Sequence, residues 1–147
     1  MKIKSILLAA AAFAFMSISC CSQPIMRSLN DISKIKANQQ NYTGKPLANL
    51  LQDIEPSILR VTVTSRKDST GNPGYFYFRF LNNKVEDSIS KAGGFPMGLV
   101  VYIKEPFTWD YKSRPADKKF SWTPEDVKHY GHLTIERLRV FTGKKGE

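Results

Sequence analysis

The stretch "YFYFRFL", residues 75–81, decides how this chain folds. Phe76, Phe78 and Phe80 alternate with Tyr75, Tyr77 and Arg79. A period of two places the phenylalanines on one face of a β-strand and the other three side chains on the opposite face, whereas a helix would scatter them. Just upstream, "ILRVTVTSR" (58–66) alternates in the same way, with Leu59, Val61 and Val63 inward and Arg60, Thr62 and Thr64 outward. The turn-forming cluster "STGNPG" (69–74) lies between the two runs, which predicts an antiparallel hairpin with a loop longer than the tightest types.

Working outward, a polar connection from Asn82 to Gly94 leads to "FPMGLVVYIK" (95–104), a third strand with Met97, Leu99, Val101 and Ile103 inward. The last strand is "HLTIERLRVF" (132–141). Its alternation loses phase between Ile135 and Leu138, which predicts a β-bulge near Glu136 and Arg137. "TGKPLANLLQDIEP" (43–56) carries Leu47, Leu50, Leu51 and Ile54 on one helical face, with Pro46 in the first turn and Pro56 as the stop. Thr123-Pro124-Glu125-Asp126 has the chemistry of a helix start, and Gly131 that of its end. These elements predict an α+β fold: a four-stranded, mainly antiparallel sheet with one N-terminal amphipathic helix packed across it and a short helix before the last strand. The single domain is expected over residues 43–142. Residues 23–42 read as a tether or a short helix, and residues 143–147 as a frayed tail.

The start of the chain bears on location. Lys2 and Lys4 precede an apolar run from Ile6 to Met16, which exits through Ser17 and Ser19 to Cys20 and Cys21. A charged start, a run of about ten apolar residues and a small-residue exit have the layout of a signal peptide over residues 1–22. The run is too short to cross a bilayer, which takes about 20 apolar residues. The exit resembles the lipobox of bacterial lipoproteins, in which a cysteine after small residues is acylated and becomes the new N-terminus. The usual leucine three places upstream is absent for both cysteines. The resemblance implies lipidation of Cys20 or Cys21; cleavage near Ser22-Gln23 would instead discard both. A relaxed disulfide holds its Cα atoms about 5.5–6 Å apart, which adjacent cysteines cannot reach without strain, and no later cysteine exists to complete a C-x-x-C motif.

The chain has 22 Lys+Arg against 13 Asp+Glu, and leaving out Lys2 and Lys4 lowers the formal charge from +9 to +7. This balance suits an anionic partner: lipid headgroup, polysaccharide or nucleic acid. The basic residues are interleaved with acids rather than clustered, which disfavours nucleic acid and is equally the pattern of a solvated surface.

Three groups of residues are candidates for chemistry. The segment 105–131 holds an aromatic and basic cluster of Phe107, Trp109, Tyr111, Lys112, Arg114, Lys118, Lys119, Phe120 and Trp122. Such residues stack on flat rings and hold anions, and they equally serve to nail a long loop onto a sheet. Asp126, His129 and His132 have a D-x-x-H-x-x-H spacing that suggests a metal, although Gly131 should break the helix before His132. Nucleophilic catalysis has no support: no serine lies in G-x-S-x-G, and Glu86-Asp87, Asp110 and Glu125-Asp126 read as loop or cap acids. Gly44-Lys45-Pro46 lacks the spacing of a phosphate loop. No motif implies a cofactor. The resulting expectation is a small, exported, non-catalytic protein of the bacterial cell envelope, periplasmic or anchored to the outer membrane, that works by binding or assembly with an envelope protein. The first alternative is an anionic-polysaccharide module using residues 107–122, and the second a hydrolase or metal-dependent enzyme.

Overall fold

The computed structural model describes residues 23–66 and 73–144. The expected signal peptide with Cys20 and Cys21, most of the first hairpin loop and the last three tail residues lie outside the described residues. The fold is mixed α+β around a four-stranded antiparallel sheet of order β1-β2-β3-β4, a meander of neighbours. The strands are β1 (Arg60–Thr64), β2 (Gly74–Arg79), β3 (Gly98–Ile103) and β4 (Ile135–Phe141). Among the described residues four α-helices accompany them: α1 (Ile32–Ala37), α2 (Leu47–Gln52), α3 (Asn83–Lys91) and α4 (Pro124–Tyr130).

The alternation in 75–81 is realised residue for residue. Phe76, Phe78 and Phe80 are buried, as are Val61 and Val63 on β1 and Leu99, Val101 and Ile103 on β3. Each such side chain removed from water contributes about 1.5–3 kcal/mol. On β4 the register slips opposite Tyr102 and Ile103, so that Ile135 faces Ile103 and Arg137 faces Tyr102, with Glu136 as the extra residue. The bulge returns Leu138 and Val140 to the inner side after Ile135.

Several short segments, rather than one helix, close over the inner face. Leu47 and Leu50 of α2 are fully buried, and α1 lies against β4 with Ile32 and Ile35 in the core. Residues 23–42 therefore belong to the packed unit. Met26 is fully buried, and its backbone pairs with the end of α2: its N–H donates to Asp53 O at 2.8 Å, and Glu55 N–H donates to Met26 O at 2.9 Å. Tyr42 donates its hydroxyl to Asp53 Oδ2 at 2.7 Å; burial first and this carboxylate second raise its ionisation above the ordinary range.

The polar connection from Asn82 to Gly94 contains helix α3. Asn82 caps it by accepting from Val85 N–H at 3.0 Å, and Gly93 follows its end with φ +76°. Its apolar residues are few, Val85 is exposed, and its buried residue is Glu86, which accepts from Arg79 Nη1 at 3.0 Å. Helix α4 starts where the sequence places it. Thr123 accepts from Asp126 N–H, while the Asp126 carboxylate accepts from Thr123 N–H at 2.8 Å, a reciprocal capping box.

Candidate functional site

The aromatic and basic segment 107–122 does not form one binding surface. Phe107 and Trp109 are buried on the inner face of the sheet. Phe107 stacks on Phe76 at 4.7 Å, and half-buried Trp122 meets Phe78 edge-on at 4.9 Å. Trp109 and Trp122 lie parallel to within 6°, yet both indole N–H groups are buried, so this pair is core and offers no stacking platform. Tyr111 spends its hydroxyl on edge strand β1: it accepts from Val63 N–H at 2.7 Å and donates to Val63 O at 3.0 Å. Val61 N–H donates to Phe120 O at 2.7 Å on the same edge. The segment covers a strand edge that would otherwise expose unpaired backbone groups.

Arg114 is committed to the same task. It lies over the Trp109 ring at 4.3 Å and donates to both Asp126 oxygens, at 2.7 and 3.0 Å, and to Ser121 O at 2.9 Å. Burial pushes the Asp126 carboxyl up, but hydrogen bonds from Arg114 and Thr123 outweigh burial and hold it below the ordinary carboxylate value. Only Lys112, Lys118, Lys119 and Phe120 of the nine project into solvent. Asp126 is thereby separated in role from His129 and His132, which line a shallow groove with Lys128 and Tyr130. Among the described residues no three His, Cys, Asp or Glu side chains gather as a metal site would require.

The outer face of the sheet carries a different arrangement, and the strand registers build it row by row. Thr64, Tyr75, Tyr102 and Arg137 align across the four strands; Thr62, Tyr77, Val100 and Arg139 form the next row, and Arg60, Arg79, Gly98 and Phe141 the third. The bulge at Glu136 is what brings β4 into this pattern. Unbroken alternation from Ile135 would turn Arg137 and Arg139 into the core; the extra residue turns them outward.

Guanidinium groups lie on ring faces throughout. Arg137 sits over Tyr102 at 3.5 Å, Arg79 over Tyr77 at 4.7 Å, and Arg139 over Phe141 at 4.9 Å. Tyr75 leans on Tyr102 with centroids 5.6 Å apart, and Phe95, 49 % exposed, stacks on Phe141 at 6.4 Å. Gly98 is required here, because a Cβ would come within 2.6 Å of the Tyr77 ring and 2.9 Å of Phe78 O. The Tyr77 phenol is pushed above its ordinary value by burial, which Arg79 opposes and Glu86 reinforces.

Together Tyr75, Tyr77, Phe95, Pro96, Val100, Tyr102, Arg139 and Phe141 line a groove of about 370 Å³. Arg79 is neutralised by Glu86, whereas Arg137 and Arg139 have no carboxylate partner among the described residues. The alternation of 75–81 already assigns Tyr75, Tyr77 and Arg79 to this face. The bulge expected near Glu136 and Arg137 turns both β4 arginines outward; the signal the sequence lacked was the β3–β4 register that sets them beside Tyr102 and Val100. No described helix is long and apolar enough to cross a membrane. No family model, curated protein or solved structure matches the chain.

Proposed function

We propose that this is a small, exported, non-catalytic binding protein of the cell envelope that takes an anionic ligand on the outer face of its sheet. The signal-type start of the sequence supports export, with Cys20 or Cys21 as the point of lipid attachment if it is not cut away. In this reading the inner face, closed by α1, α2 and the 105–122 segment, is scaffold. The observation that carries it is the pair Arg137 and Arg139, without a carboxylate partner among the described residues and laid on the aromatic rings of an exposed groove. Binding groups held on strands are better positioned than groups on loops, and cations over aromatic faces retain charge while losing freedom.

Two double variants of equal charge test this. On an immobilised sulfated polysaccharide, R137Q/R139Q is expected to elute at clearly lower salt than K118Q/K119Q, which removes the same charge from the 107–122 segment. Equal elution, or a larger effect of the lysine pair, would overturn the assignment to the sheet face.

A further inference from the structure

We infer that the ligand of the outer face is an acidic polysaccharide read through its carboxylates, a chain of uronate-type sugars; this rests on the sheet-face reading above. Arg137 and Arg139 are two residues apart on β4, which places them about 7 Å apart along the strand. Tyr102 lies against one face of Arg137 at 3.5 Å and Phe141 under Arg139, and neither guanidinium has a carboxylate partner among the described residues, which leaves the N–H edges to meet a ligand. A planar fork of donors matches the two oxygens of a carboxylate.

Beside these forks the groove is amphipathic. Phe95 and Pro96 supply apolar surface, and Tyr75, Tyr77 and Tyr102 supply phenol groups. A sugar acid has the same division: a C–H face, a hydroxyl rim and one carboxylate. A volume of about 370 Å³ is at the small end of ligand sites, fitting one or two sugar units at a time.

Two other occupants fit less well. Bases of a single-stranded nucleic acid need open aromatic faces for stacking. Here guanidinium groups lie on the rings of Tyr77, Tyr102 and Phe141, and Tyr75 and Tyr102 are tilted 54° to each other. A second copy of the chain docking through this face would set unpaired arginines against arginines, a like-charge juxtaposition that disfavours association.

The test is calorimetric titration of the purified protein with oligogalacturonate, its carboxyl-reduced neutral counterpart, sulfated dextran fragments and oligothymidylate. Saturable oligogalacturonate binding is expected, absent for the neutral counterpart and weakened ~10-fold or more by R139Q, the loss of one charged hydrogen-bonded contact. F95A truncates an exposed ring, leaves the fold intact and is expected to weaken binding several-fold. If sulfated dextran or oligothymidylate binds as tightly as oligogalacturonate and is weakened by R137Q/R139Q, the uronate inference falls and the sheet-face reading stands. If no anion responds to R137Q/R139Q, both fall.

Discussion

Replacing Asp126 with asparagine should destabilise the protein by about 2–3 kcal/mol at pH 7. The carboxylate accepts four hydrogen bonds, two from Arg114 at 2.7 and 3.0 Å and two from Thr123 at 2.8 and 2.9 Å. Asparagine preserves one acceptor oxygen for the cap but turns an amide donor toward a guanidinium donor. Removing one partner of a buried ion pair costs about 3–5 kcal/mol. The Arg114 side chain keeps 17 % of its exposure, so water relieves part of that cost.

Urea unfolding followed by circular dichroism measures the difference, and R114M and the double variant complete a cycle. Because the cost arises from stranding Arg114, the double variant should lose about 1 kcal/mol less than the sum of the singles. The sign with pH is fixed as well. The folded carboxyl lies below its ordinary value of 3.8, so its contribution is fully present above that value and is lost as pH falls through the lower, folded one. The gap between wild type and D126N should therefore close in acid. A D126N penalty under about 0.5 kcal/mol, or one unchanged down to pH 2, would refute the argument, since a paired buried carboxylate cannot be so cheap to remove.

Three further outcomes follow from the packing. Tyr111→Phe leaves the Val63 N–H and C=O without their partner and should cost about 1–3 kcal/mol, with faster hydrogen exchange at the Val63 amide; unchanged protection there would contradict the edge-covering role. Gly98→Ala forces Tyr77 off β3, lowering thermal stability by the equivalent of about 1–3 kcal/mol and moving the Tyr77 ring resonances; a silent substitution would show that the ring does not lie there. Deleting Glu136 removes the extra residue and leaves plain alternation, with Ile135, Leu138 and Val140 inward and Arg137 and Arg139 outward, so cooperative thermal unfolding should persist; a deletion variant that no longer unfolds cooperatively would mean that Glu136 is not the residue the strand accommodates as a bulge.

The strands were legible because a half-buried sheet writes its two faces directly into the alternation, as 75–81 and 60–64 do, although Leu59, expected inward, lies before β1 and is exposed. The start of α4 was legible because Thr123, Pro124 and Asp126 each satisfy a local requirement of a helix terminus. Helix α3 was not, since its apolar side chains are few and its buried contact is the ion pair of Glu86 with Arg79, which no hydropathy pattern registers. Its remaining signals, Asn82 before it and Gly93 after it, are also those of an ordinary turn. The segment 107–122 misled for a different reason. Aromatic and basic residues compose a binding loop and an edge cover alike, and the difference is whether Trp109 meets water or Phe76, a long-range fact. The outer-face site draws its residues from three strands, so it becomes visible only once their registers are known.

Met26 bears on how the protein would sit at a membrane. An acyl chain on Cys21 would leave five Cα-to-Cα steps before a residue locked into the fold, at most about 17 Å of chain even when fully drawn out. Lipidated at that site, the domain would ride on the bilayer surface as on a short stalk, with little freedom to reach outward or to tumble. Which of its sides meets the lipid and which the surrounding matrix would then be set by where Met26 leaves the core.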